Sequence, residues 1–197
     1  MCASYVIREY QDRDADSWLR CRLQSFFHTN YYDDVVTERP AYAHPTVRHV
    51  AAADKSVVGI LDAQVDGANA TIEVLAVHPD HARRGIATAL LRKTEAALAR
   101  YAVSTLDAWT REDVPANRWY QRAGFVESFS YLHVHKVDAD DATGFETPTG
   151  LSRPLTAFMH ASRDHEASLR QQFRRVYVCR RYVKTLNAPP DSMSDGA

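Results

Sequence analysis

Two hydrophobic periods follow one another along this chain, and the change between them falls at residues 78–85. Residues 71–77, TIEVLAV, are apolar at nearly every position, with Ile72, Val74 and Ala76 on one face and Thr71, Glu73, Leu75 and Val77 on the other. Apolar side chains on both faces predict a central strand rather than an edge strand. His78-Pro79-Asp80 stops it, because proline cannot donate to a ladder. From Ile86 onward the spacing is helical, with Ile86, Leu90 and Ala97 beside Ala87, Leu91 and Leu98.

The same reading predicts strands at residues 4–8, with Tyr5 and Ile7 facing one way, and at 47–53, 56–65, 104–109, 126–137 and 174–186. Asp54-Lys55 and Asp66-Gly67-Ala68-Asn69 join two of these and residues 71–77 into an antiparallel meander. Residues 104–109 can lie parallel beside 71–77, with the intervening helix as crossover. Leu19, Leu23, Phe26 and Phe27 form a helical stripe that Asp14, Asp16 or Ser17 can cap. Within residues 111–125, Asp113 suits an N-cap, Pro115 a first turn and Gly124 a left-handed stop. Residues 138–150 read as a surface loop, 154–173 as helix or irregular structure, and 187–197 as a disordered tail.

Composition narrows the function classes. A net charge of −1 and a pI of about 6.7 give no global field toward nucleic acid or membrane. No apolar run approaches the roughly 20 residues needed to span a bilayer, and the first residues carry no signal-peptide pattern. Cys2, Cys21 and Cys179 have no metal-ligand spacing, so the expectation is a reducing cytoplasm, no disulfide framework and no metal. His133 and His135 share a strand face but have no third ligand nearby, and read as strand-face residues.

The chemistry lies in the turn between the two periods. Arg83-Arg84-Gly85-Ile86-Ala87 sets two cations and small residues at a helix start, where free N–H groups and the helix dipole attract a phosphate. Taken alone, such a turn is also an ordinary strand–helix junction. The stretch resembles the coenzyme-A-binding motif of the GNAT superfamily of N-acyltransferases: a strand, then Gln/Arg-x-x-Gly-x-Gly/Ala, then a helix. It falls on Ala82-Arg83-Arg84-Gly85-Ile86-Ala87 and departs at Ala82, which costs a side-chain contact and no backbone donor. A second GNAT signature, a short helix with Ala-x-x-x-Tyr ending at Gly-Phe, is filled by Ala116, Tyr120, Gly124 and Phe125. Many relatives carry an asparagine seven residues before the tyrosine; this chain has Asp113, and Asn117 is one turn before Tyr120 on the same face.

The resemblance implies an α/β (α+β) fold, a mixed, mostly antiparallel sheet of about seven strands flanked by helices. The domain would cover residues 1–186, with 138–173 inserted between the last two strands and covering the acceptor side or a partner subunit in a homodimer. It implies acetyl transfer from acetyl-CoA to a primary amine of a small molecule or peptide. Leu75, Ala76 and Val77 would pair with the pantetheine arm, and Asn117 would reach it. Arg83, Arg84, Gly85, Ile86, Ala87 and Thr88 would cradle the pyrophosphate. Tyr120 would contact the thioester sulfur as general acid, and Glu73, on the face of Leu75 and Val77, would act as general base. Tyr31-Tyr32-Asp33-Asp34 would form an acidic wall of the acceptor site.

Blander roles stand beside these. Tyr120 is also a packing aromatic, Glu73 a strand residue paired with a cation, and the aspartates a cap ahead of a short second helix. An acyl-CoA sensor without turnover is one rival function. Nucleic-acid binding is another, resting on the basic, aromatic stretch Arg163, Arg170, Arg174, Arg175, Tyr177, Arg180, Arg181, Tyr182 and Lys184.

Overall fold

The computed structural model describes residues 4–186; the expected disordered tail lies outside them. In chain order the elements are β1 (Val6–Glu9), α1 (Ala15–Phe26), β2 (Thr46–Ala53), β3 (Ser56–Asp66), β4 (Asn69–Val77), α2 (Ile86–Leu98), β5 (Thr105–Thr110), α3 (Val114–Arg122), β6 (Val126–Lys136), β7 (Ala157–Ala161), α4 (Glu166–Gln172) and β8 (Arg175–Thr185). The strands form one sheet in the order β1-β2-β3-β4-β5-β8-β6-β7. All neighbours are antiparallel except β4 and β5. The count is eight strands rather than about seven, because β7 forms inside the segment expected to be helical or irregular.

The sheet is covered unevenly. On the back, α2 buries Ile86, Leu90, Leu91 and Leu98 against Ala51, Leu61, Ile72 and Leu106. On the front, α1 buries Trp18 and Cys21 against Val50, Val57, Ile60, Val74 and Ala76. The helix face differs from the expected stripe: Leu23 and Phe27 are exposed, while Trp18 is fully buried. One tryptophan removes more apolar area from water than either side chain it displaces. A third cluster, Leu132, Val134, Phe173, Val176 and Val178 with Leu169 and Met159, packs on the back of β6 and β8.

β4 departs from the expected faces. Its ladder to β3 pairs Asp62 with Val74 but Ala63 with Ile72, so Glu73 is the extra residue of a β-bulge. The bulge reverses the phase of the residues after it. Ile72 packs with the α2 cluster, yet Val74 and Ala76 pack with the α1 cluster and Leu75 and Val77 with α2. Expected as one face, Ile72, Val74 and Ala76 are therefore split between two, because alternation counted through a bulge changes sign.

The same stretch loses a neighbour. β5 pairs with β4 only from Asn69↔Thr105 to Ile72↔Ala108, so one edge of residues 73–77 has no strand beside it. The segment after α1 forms turns, without the short second helix.

Candidate active site

A cavity of about 450 Å³ opens where β4 and β5 part. Residues 72–77 of β4 line one wall, Ala87 of α2 and Ala116, Trp119 and Tyr120 of α3 another, and Trp109 and Thr110 of β5 a third. The end of α1 and residues Tyr31 and Asp34 close the remaining side.

The turn before α2 points a row of amides outward. Arg83 has φ 61° and Gly85 has φ 78°, two left-handed residues flanking Arg84. Such alternation gathers successive N–H groups into an anion-binding concavity. Ala82 N–H donates to Pro79 and Ala89 N–H to Gly85, whereas the N–H groups of residues 83–88 donate to nothing among the described residues. A Cβ built on Gly85 would meet only the Tyr5 hydroxyl at 3.9 Å, so this glycine answers to its backbone conformation rather than to crowding. Gly59 is the opposite case. A Cβ there would come within 2.6 Å of Ile86 Cγ2, and that close approach seats the first turn of α2 on β3. The Arg84 guanidinium donates to the Asp80 carbonyl at 2.9 Å, and the Thr88 hydroxyl accepts from Trp119 Nε1 at 3.3 Å, tying α2 to α3.

Tyr120 sits in an aromatic cage. Its ring stacks on Tyr182 (centroids 5.4 Å apart, planes at 10°) and meets Trp119 and Phe125 edge-on. The hydroxyl has no hydrogen-bond partner among the described residues, although the ring lines the cavity. Burial pushes the phenol pKa up, so it is a protonated donor at neutral pH. Phe125 N–H bonds to the Tyr120 carbonyl at 3.0 Å where α3 ends at Gly124.

Asn117 does not lie where expected. Its amide donates to the carbonyls of Arg111 (2.7 Å) and Asp113 (2.8 Å), and its oxygen accepts from the Tyr182 hydroxyl (3.0 Å). It does not line the cavity, and its polar atoms are spent on fixing the start of α3. Asp113 stands at the cap position, but its carboxylate accepts from the Asn30 N–H at 3.0 Å instead of capping α3.

Glu73 lines the cavity, on a different face from the one expected. It accepts from Gln64 Nε2 at 3.2 Å. Ala63 and Val65 beside Gln64 point into the α2 cluster, which puts Gln64 and Glu73 on the α1 side, opposite Leu75 and Val77. Its carboxylate has no cationic partner among the described residues. Burial, with the nearby charge of Asp107 adding to it, holds its pKa above the ordinary value.

The acidic wall is largely neutralised. Asp33 pairs with Arg175 and Asp34 with Arg22, each at 2.8 Å, while the hydroxyl of half-buried Tyr31 accepts from the Arg111 N–H. The basic stretch is neutralised too, with Arg180 on Glu127, Arg181 on Asp107, Lys184 on Glu95, and Arg170 on Glu112 and Glu166. Neighbouring residues of β8 face opposite sides of the sheet, so no continuous basic groove forms. Trp109 and Thr110 went unassigned as site residues from sequence. Their position at the end of β5, just past the parallel ladder, was the available signal.

Comparison with known proteins bears on the family and the fold. The family described as "Acetyltransferase (GNAT) domain" matches residues 45–127. Mycothiol acetyltransferase of Clavibacter sepedonicus is 31% identical over 138 residues, covering 65% of this chain and 45% of that protein. The chain thus spans about half the length of the curated relatives it matches. The ribosomal-protein-S18-alanine N-acetyltransferase of Escherichia coli has the same fold, with TM-score 0.57 at 14% identity, covering 96% of this chain and 99% of that one. The PaiA N-acetyltransferase of Thermoplasma acidophilum, solved in complex with coenzyme A, gives TM-score 0.54 at 13% identity over 64% of this chain and 91% of its own.

Proposed function

Because this chain belongs to the GNAT acetyltransferases, we propose that it transfers an acetyl group from acetyl-CoA to a primary amine of a small molecule. One observation carries the reading: the open edge of β4 and the Tyr120 ring line one cavity, and the turn with unpaired amides leads to it at Ala87. Each fits a part of acetyl-CoA. The N–H groups of residues 83–88, at the positive end of α2, hold the pyrophosphate. The unpaired edge of residues 73–77 accepts the pantetheine amides as an added strand, and one N–H there polarises the thioester carbonyl.

The reaction then asks for little more. A thioester is already activated, so the protein orients it, takes a proton from the attacking ammonium and steadies the departing thiolate. Glu73 serves as base, directly or through a water, its raised pKa bringing it nearer the proton it must take. Tyr120 hydrogen-bonds to the leaving sulfur. Asn117 receives no role toward the cosubstrate, because its amide is already engaged. Among the described residues no helix is long and apolar enough to cross a membrane. The free, buried Cys21 and Cys179 fit the proposed cytoplasmic setting.

Acetyl-CoA should raise the melting temperature by mass action and release thiol when an amine is supplied. Gly85→Asp adds a negative charge where the phosphates approach, at a left-handed position that aspartate tolerates better than most residues. The expected result is a folded protein with no acetyl-CoA-induced shift. A wild-type-sized shift in that variant would remove the pyrophosphate from this turn.

A further inference from the structure

Beyond β5 the front of the sheet carries no helix, and residues 30–33 reach it at Arg111 and Arg175. α1 covers β3 and β4, but no helix lies over the front of β5, β8, β6 and β7, since α4 packs with the cluster on the back. Strand register shows which side chains stand there. Trp109 is opposite Arg181, and Arg181 is opposite Phe129. Tyr131 faces Cys179, and His133 is flanked by Tyr177 and His160. Opposed residues share a face, so Trp109, Phe129, Tyr131, His133 and His160 form one row across four strands, with Arg181, Cys179 and Tyr177 of β8 between β5 and β6.

The row is exposed at Trp109 (39% accessible) and Phe129 (57%), half-buried at Tyr131 and buried at His133. Trp109 meets Phe129 at 6.2 Å and Tyr131 at 5.4 Å, both edge-on, while Phe129 and Tyr131 stack at 6.1 Å. Tyr131 is held from below. Arg111 Nε donates to His133 Nδ1 at 3.1 Å, which leaves the His133 proton on Nε2 to donate to the Tyr131 hydroxyl at 2.9 Å. The platform is thus rigid before any ligand arrives, and it begins inside the cavity, because Trp109 lines both.

We propose that this row is the acceptor platform, and that the acceptor is a small arylalkylamine whose ring packs in the angle between Trp109 and Phe129 while its ammonium faces Glu73. Position and charge both point there. Ile72↔Ala108 is the last pair of the parallel ladder, and Glu73 and Trp109 are the next residues on each strand, one on each lip of the cavity. Glu73 lacks a cationic partner, so an ammonium completes it. The Arg181 charge beside the ring is already spent on Asp107 at 2.6 Å.

The inference rests on the acetyltransferase reading, and its test separates the two. The substrates are phenethylamine and 2-cyclohexylethylamine, alike in size and basicity but not in planarity. The wild-type protein should prefer the planar ring in kcat/KM. Phe129→Ala, at an exposed position, should shrink that preference about 3- to 10-fold, the worth of one aromatic pair. Tryptophan fluorescence with CoA present reports binding independently of turnover, and phenethylamine should quench it at lower concentration than the saturated amine.

If acetyl-CoA fails to shift the melting temperature, the underlying reading falls. If acetyl-CoA binds but the two amines behave alike in both assays, the platform falls and the reading stands. A Phe129→Ala variant that changes sedimentation while keeping the wild-type preference would make the face a contact between copies, and would overturn the proposal.

Discussion

Because the Tyr120 ring is stacked on Tyr182 while its hydroxyl bonds to nothing among the described residues, Tyr120→Phe removes one oxygen without unpairing anything. Stability and acetyl-CoA affinity should therefore stay near wild type, while kcat falls by about 10²–10⁴ if chemistry limits the rate. Single-turnover measurements check this, and an unchanged chemical step would return Tyr120 to packing. Asp62 offers a test that involves no substrate. It is fully buried beneath Arg39, at 3.4 Å, and one carboxylate oxygen is unpartnered. Burial raises its pKa to about 6. A raised carboxylate favours the folded state while protonated, so this contribution is complete below about pH 4 and is lost as pH rises through 6. Asp62→Asn should gain stability relative to wild type between pH 4 and 8, on the order of 2–3 kcal/mol. A wild type that gains on the variant over that window would show that Arg39 and Arg48 outweigh the burial. Tyr120 was legible in the sequence because its spacing to Gly124 is local. The engagement of Asn117 was not, since its partner Tyr182 lies 65 residues away.

At the scale of elements, periodicity located most strands and all three larger helices, because each buries one continuous stripe. It misjudged faces where the stripe is interrupted. The bulge at Glu73 reverses the phase of β4, and no local residue marks it, since the extra residue is defined by pairing with β3. That bulge is also what separates Glu73 from Leu75 and Val77, so a role inferred from shared face had to be placed again. Gly59 tests how the elements hold the site. Gly59→Ala drives a methyl into buried Ile86 at the first turn of α2. Overpacking of this kind costs about 1–3 kcal/mol. Because the turn must shift, acetyl-CoA affinity should also fall, although residue 59 lies outside the cavity lining. Thermal denaturation with and without acetyl-CoA separates the two effects. A destabilised variant with unchanged affinity would mean that the amides of residues 83–88 move independently of that seat.

Across the whole molecule, the sheet is continuous but its cores are separate. The clusters of α1 and α2 enclose β1–β5, and a third lies behind β6, β8 and β7. The third was the least legible part, since β7 is five residues long and forms its stripe only by pairing with β6. Residues 138–173 behave accordingly. They supply Phe145, Met159 and Leu169 to that cluster rather than forming a free linker, and they put Phe158 and His160 on the front face. Every residue assigned to acetyl-CoA lies on β4, the turn before α2, α2 or α3, outside the third cluster. Phe173 is central to it, 7% exposed against Leu132, Val134, Val176 and Val178. Phe173→Ala should cost about 3–5 kcal/mol, with amide exchange accelerating in β6, β7 and β8 before β2, β3 and β4. The acetyl-CoA-induced rise in melting temperature should survive, measured from the lower baseline. Turnover with an aromatic amine should suffer more, because Tyr131 and His133 stand on the strand whose back this cluster supports. Uniform acceleration of exchange across all eight strands, together with loss of the acetyl-CoA response, would make the two halves one cooperative unit. The cosubstrate site would then depend on a core it does not touch.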